Sequence, residues 1–169
     1  MTSSPTVRVV PATATQLEAL HRGPAEFERL IGAPIPDGWP EFPEAIEHTL
    51  AVLRNGVPAE WSMYLFFSEE GDLVGSGGYH GPPVGGTVEI GYEIAPEHRG
   101  RGLAVGAARA LAARALAAGA ERIVAHTLAA PSPSTGVLAA LGFERADEVV
   151  QSEDGPLWAW LLVPARSPA

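Results

Sequence analysis

Thr87-Val88-Glu89-Ile90-Gly91-Tyr92-Glu93-Ile94, then Ala95-Pro96-Glu97-His98, then Arg99-Gly100-Arg101-Gly102-Leu103-Ala104 is the stretch that decides the fold. Val88, Ile90, Tyr92 and Ile94 alternate with Glu89, Gly91 and Glu93, the period of a strand with one apolar and one polar face. Pro96 and the glycines break that pattern, and an alanine-rich run from Gly102 to Ala118, closed by Gly119, predicts a helix. A strand, a short polar loop and a helix in direct succession form an anion site. The first N–H groups of a helix have no internal partners and carry partial positive charge, which suits a pyrophosphate. Gly100 and Gly102 permit close approach and positive φ, while Arg99 and Arg101 add charge. Taken alone, the loop reads equally well as a glycine-rich turn with two solvated arginines.

Competing phosphate loops fail on residue type. The pattern GxxxxGK[ST] is absent, and a chain without lysine cannot supply it. Gly75-Ser76-Gly77-Gly78 lacks the third glycine of a dinucleotide loop and precedes no helix, so it reads as a bulged or closely packed strand.

Working outward, Met63–Ser68, Leu73–His80 and Thr87–Ile94 form a meander of strands separated by turn-rich segments. Val7–Val10 reads as a first strand, and Thr13 caps a helix to His21. The segment from Ile31 to Pro43 holds Pro34, Pro36, Pro40 and Pro43, predicting a rigid loop, after which Pro43 opens a helix toward Asn55. Beyond the alanine-rich helix come a strand at Arg122–Thr127 and a helix at Pro133–Leu141 with Ser132 as N-cap. Strands at Phe143–Val149 and Leu157–Val163 end the pattern. About seven strands and about four helices in one domain over 1–169, with its core near 7–164, are expected: an α/β fold with a mixed, mostly antiparallel sheet.

Here a resemblance enters. Arg99–Ala104 fits the [Arg/Gln]-x-x-Gly-x-[Gly/Ala] signature of the GNAT acetyltransferases. The run from Val88, followed by PSPSTGVLAALGF ending at Phe143, resembles the branch of ribosomal-protein N-terminal acetyltransferases. The resemblance implies a splayed sheet with the cofactor entering between the strands that end at Ile94 and Thr127. It implies acetyl-CoA as cosubstrate, its pyrophosphate on Arg99, Gly100, Arg101, Gly102, Leu103 and Ala104, and its pantetheine arm along the backbone at Ile94 and near Ser132. The departures are Val105-Gly106 where relatives often carry Thr and Glu, Ser132 in place of an asparagine, and Leu138 where many carry a tyrosine that protonates the thiolate. Ser134 matches a serine that the ribosomal-protein branch uses near the sulfur; its local reading is a first-turn serine bonded to backbone.

Acetyl transfer to an amine needs a neutral nucleophile, a donor for the developing oxyanion and a proton source for the thiolate. A carboxylate on the central strand is a candidate base, with Glu89 placed ahead of Glu93; both read otherwise as polar-face residues. Asp37, Trp39, Glu41, Phe42 and Glu44 combine aromatic surface with negative charge as a candidate acceptor pocket, or as an acidic surface over a buried Trp39 and Phe42. His80 and His126 lie near strand ends, where an acceptor channel would open, although isolated histidines usually have structural or solvent roles. The five histidines show no i,i+4 pair, and there is no cysteine, so no metal site is expected.

The net charge of −9 argues against a nucleic-acid surface and suits a cationic partner. No apolar run approaches the roughly 20 residues of a membrane helix. Met1–Val10 lacks the pattern of a signal peptide, so a cytoplasmic location without membrane association is expected. A homodimer is the commonest assembly for such a chain. The expectation is therefore acetyl transfer from acetyl-CoA to a primary amine of a small molecule by direct attack in a ternary complex. A peptide N-terminus is the alternative acceptor, and a non-catalytic acyl-CoA sensor the alternative class.

Overall fold

The computed structural model describes residues 5–164. The ends of the domain expected over 1–169 lie outside the described residues. Seven strands form one sheet in the order β1-β2-β3-β4-β5-β7-β6: β1 (Arg8–Pro11), β2 (Met63–Phe67), β3 (Leu73–Tyr79), β4 (Thr87–Ile94), β5 (Arg122–Leu128), β6 (Glu144–Ser152) and β7 (Gly155–Leu162). Every neighbouring pair is antiparallel except β4–β5, giving the mixed, mostly antiparallel α/β architecture that the sequence implies.

Five helices flank the sheet among the described residues: α1 (Ala14–Arg22), α2 (Pro24–Ile31), α3 (Glu44–Arg54), α4 (Leu103–Ala117) and α5 (Pro133–Ala140). Thr13 caps α1 in a reciprocal box with Gln16, and Ser132 does the same for α5 with Thr135. Helix α2 is not among the expected elements, although its signals are present. Pro24 sits at its start and Gly32, in the left-handed region, ends it.

The sheet is covered on both sides. On one, α4 and α5 bury Leu103, Leu111 and Leu138 against Val88, Ile90, Ile94 and Ile123. On the other, Leu17, Phe27, Trp39, Ile46 and Leu50 cover Leu65, Phe67 and Leu73. This double cover explains why β2 is apolar throughout instead of alternating. The buried face of α4 carries Ala107, Ala108, Ala112 and Ala115, small side chains that let the helix lie close to β4.

The Gly75–Gly78 segment is a closely packed part of β3, and the register shift lies opposite it, between Phe66 and Phe67 of β2. A Cβ on Gly75 would collide with the Glu93 carbonyl oxygen, and one on Gly77 with the Gly91 carbonyl oxygen and the Phe66 ring. Gly75→Ala is therefore expected to lower stability by about 1–3 kcal/mol, the usual cost of overpacking. Urea denaturation checks it; an unchanged midpoint and slope would show that the strands part without cost.

Candidate active site

The ladder between β4 and β5 is short. Thr87, Val88 and Glu89 pair with Arg122, Ile123 and Val124, and pairing stops there. On its other side β4 stays paired with β3 as far as Ile94. The Glu89 carbonyl accepts from the His80 N–H at 3.0 Å, and the Ala95 N–H donates to the Val74 carbonyl at 2.8 Å. Odd-numbered residues of β4 thus turn their backbone groups toward β3. By alternation the backbone groups of Tyr92 and Ile94 turn into the opening between β4 and β5. The Ile94 carbonyl is taken by the Arg99 Nε–H at 2.9 Å.

At the end of β4 the chain makes one 3₁₀ turn, Pro96–His98, and enters the glycine loop. Gly100 and Gly102 both have φ of 77°, the left-handed region that only glycine enters freely. A Cβ on Gly100 would meet nothing within 4 Å, so that position answers to conformation and not to crowding. Gly102 is the N-cap of α4, and among the described residues no side chain caps the helix. The N–H groups that open α4 therefore form a concave donor set at its positive end, a ready cradle for an anion.

The two arginines brace this turn. Arg99 bonds Ile94 and approaches the Glu41 carboxylate at 3.6 Å, tying the proline-rich loop to the end of β4. Arg101 reaches the His98 ring at 3.0 Å. Leu103 is buried against β4, and Ala104 is partly buried beside it.

On the α3 side of the sheet lies a cavity of about 550 Å³, bordered by Phe42, His48, Trp61, His80, Gly91 and Glu93 among others. Glu93 accepts from the Glu41 N–H at 3.2 Å and from the Ser76 hydroxyl at 3.3 Å. Burial raises its carboxyl above the ordinary carboxylate range, against these hydrogen bonds. Phe42, 56% exposed, is at the cavity wall. Trp39 is not. It is buried, stacks on Phe27 and donates from its indole N–H to Ser76 at 2.9 Å, so it supports the Ser76–Glu93 pair from below. Glu41 lies at the rim through its backbone bond to Glu93 and its contact with Arg99.

Glu89 has different neighbours. One of its oxygens, Oε2, lies 3.0 Å from His126 Nδ1 and 3.2 Å from His80 Nδ1. The His80 hydrogen bond is the main influence holding Glu89 below the usual carboxylate range, with His126 adding to it. The same bond raises His80 above its ordinary value despite partial burial. From the sequence the two histidines lie near strand ends, where an acceptor channel would open, with no sign that they meet. Their convergence on Glu89 comes from β3, β4 and β5 lying side by side, which no local pattern encodes. Both rings direct Nδ1 at one carboxylate oxygen, and among the described residues no group of three or more His, Cys, Asp or Glu could hold a metal ion.

Ser132 and Ser134 open α5, across the gap from β4. The Tyr92 hydroxyl reaches over to donate to the Ser134 carbonyl at 3.3 Å, and burial pushes that phenol up to about 12. Leu138 is fully buried in the α4–α5 core. Tyr92 is a site neighbour that alternation assigns only to the apolar face.

A family model for the acetyltransferase (GNAT) domain matches residues 7–144. The chain belongs to the GNAT acetyltransferase family and is an acetyl-CoA-dependent N-acetyltransferase. Similar solved structures agree in fold. The acetyl transferase of Salmonella typhimurium that modifies the N-terminal serine of ribosomal protein L7/L12 is 15% identical, with 96% of this chain and 97% of that one covered and a TM-score of 0.66. RimJ of Mycobacterium smegmatis, in complex with CoA-disulfide, is 20% identical over 93% of this chain and 81% of its own, with a TM-score of 0.61. The microcin C7 self-immunity acetyltransferase MccE, in complex with acetyl-CoA and AMP, is 15% identical over 94% and 93%, with a TM-score of 0.66. No curated protein sequence matches this chain at a significant level.

The opposite shifts of Glu89 and Glu93 have a consequence for stability. A carboxyl whose pKa is higher in the folded state contributes stability below its unfolded pKa and loses it as pH rises through the folded value. Wild type should therefore lose stability relative to Glu93→Gln between pH 4 and pH 7. Urea titrations at both pH values check the sign; a wild type that gains stability relative to Glu93→Gln as pH rises would contradict the burial assigned to Glu93.

Proposed function

We propose that this acetyltransferase acts on a small molecule bearing a primary amine and no neighbouring carboxylate, bound in the cavity between α3 and the β3–β4 pair. The observation that carries this reading is the charge of the cavity wall. Among the described residues Glu93 is its one carboxylate and no arginine borders it, while Phe42, Trp61, Met63 and Val52 supply apolar surface. An ammonium gains a half-buried counter-ion there, whereas a carboxylate finds no permanent cation.

Acetyl-CoA supplies the acetyl group as an activated thioester. For its pyrophosphate the geometry favours Gly100, Gly102 and the first N–H groups of α4 at Leu103 and Ala104, with Arg99 and Arg101 bracing the turn and adding charge. The edge of β4 at Tyr92 and Ile94 offers backbone groups to the pantetheine arm, with Ser132 at the start of α5 on the facing side. Glu93 and Glu89 are the carboxylates that prepare the amine, and Ser134, beside the Tyr92 hydroxyl, is the group offered to the departing thiolate. Attack is direct, in a ternary complex.

Two measurements test this. CoA release, followed with a thiol reagent, is expected to be fastest for alkyl and arylalkyl amines, and slower for amino acids and for peptide N-termini. Preference for a peptide N-terminus would overturn the acceptor class, and acetyl-CoA binding without turnover on any acceptor would favour a sensor. Separately, Gly102→Ala forces an L residue into the left-handed region, at a cost of about 1–2 kcal/mol. The free turn escapes that strain by leaving the left-handed region, so the cost falls on binding and acetyl-CoA affinity is expected to drop by up to roughly tenfold by calorimetry. Unchanged affinity would remove the turn from the pyrophosphate site.

A further inference from the structure

We infer that His80 is the catalytic residue that takes the proton from the acceptor ammonium, with Glu89 as the positioning residue that holds its ring. The inference rests on the amine acceptor and cavity proposed above, and it assigns the proton acceptor that a carboxylate would otherwise have to be.

Four observations converge. First, the His80 ring borders the cavity together with Gly91 and Glu93. Second, its Nδ1 lies 3.2 Å from Glu89 Oε2, so Nδ1–H donates to the carboxylate and the lone pair falls on Nε2. Third, Nε2 lies 3.6 Å from the point a Cβ on Gly91 would occupy, an ordinary contact distance that places the ring over the β4 backbone at this residue. Fourth, Gly91 lies just past the last β4–β5 pair, Glu89 with Val124, so Nε2 stands where the two strands begin to part. His126 reaches the same Glu89 oxygen from β5 at 3.0 Å and fixes the carboxylate across that junction.

The chemistry follows from the two carboxylates having separate tasks. Glu93, further along β4 on the same face, is the counter-ion that seats the ammonium. Glu89, held ionised by its histidines, orients His80 and favours its protonated form once the proton arrives. The N–H bond of the ammonium breaks, an Nε2–H bond forms, and the positive charge passes from the amine to the imidazole. The amine is left with the lone pair it needs for attack. The His80 side chain is 62% exposed, so the ring can return its proton to water. Among the described residues the titratable groups around it are Glu89, Tyr92 and Glu93 of β4, Tyr79 of β3, His126 of β5 and His48 of α3.

The experiment compares the full-length wild type with His80→Ala and Glu89→Gln on the best amine. It measures kcat against pH by CoA release, with acetyl-CoA affinity by calorimetry as the check on folding. His80→Ala is expected to lose about 100-fold in kcat, to lose the acid limb of the profile, to keep its acetyl-CoA affinity, and to recover part of the rate with added imidazole. Glu89→Gln is expected to keep the acid limb but move it to lower pH, because the carboxylate that raises His80 is gone. Wild-type turnover with a His80→Ala enzyme within twofold in kcat and an unmoved acid limb overturns this inference alone. An acid limb unmoved in Glu89→Gln removes Glu89 from the positioning role. No wild-type turnover on any amine overturns the acceptor reading and this inference together.

Discussion

Everything at this site depends on the β4–β5 ladder stopping after Glu89 and Val124. Backbone groups on a strand edge need partners, and a buried strand without a neighbour is costly. Here the cost is local because each strand is secured on its far side. β4 is paired with β3 through Ile94, over glycines that admit no side chain, and β5 is paired with β7 from Ile123 to Leu128. Beyond that point each strand is laddered on one edge and, among the described residues, has no strand on the other, where Arg99 takes the Ile94 carbonyl. The unladdered edges face each other across a gap spanned by the bond from Tyr92 to the Ser134 carbonyl. An extended ligand arm with amide groups is the natural occupant of such a gap, since it restores the missing hydrogen bonds without moving the scaffold.

The same strand separates two carboxylates by environment. Glu89 and Glu93 share a face, yet two imidazoles lower one and burial raises the other. Coulomb attraction and hydrogen bonding win at Glu89 because both rings lie within about 3 Å of one oxygen. Desolvation wins at Glu93 because its two hydrogen-bond donors, a backbone N–H and a hydroxyl, are neutral. Glu93 also joins two segments far from it in sequence: the proline-rich loop through Glu41, and β3 through Ser76, behind which the buried Trp39 of the same loop packs. The loop is thus registered against β4 by the residue proposed to seat the substrate.

What could be read in the sequence was whatever chemistry is local. Alternation in β4, the glycine loop, the caps Thr13 and Ser132 and the stop at Gly119 are set by residues within a few positions of each other. Trp39 shows where that kind of reading ends. Aromatic and acidic neighbours on a loop suggest a pocket wall, yet the burial of the indole is decided by Phe27 and Ser76, from a helix and a strand that local patterns do not bring near it. The histidines are the converse case: single residues with no spacing signal, brought together only by strand order. Helix α2 falls between the two. Its proline start and left-handed glycine end are visible in the chain, but its eight residues directly abut α1 and blur into it.

The departures from the family pattern have packing causes. Gly106 lies beneath the segment that leads into β1, where a Cβ would come within 2.6 Å of the Pro5 carbonyl oxygen. A glutamate there would have to displace that segment, so the first turn of α4 faces protein on this side and not a ligand. Leu138 is likewise wholly enclosed between α4 and α5, where a phenol hydroxyl would need a partner in an apolar core. Neither change touches the left-handed glycines or the free N–H groups at the start of α4. A binding site made of backbone tolerates such exchanges because its donors are fixed by φ and ψ, which packing on the far side of the helix does not alter. Side-chain chemistry has no such protection, and with Leu138 in the core the proton-handling groups we propose lie elsewhere on the opening: Ser134 beside Tyr92 on one side, and the His80–Glu89–His126 cluster on the other.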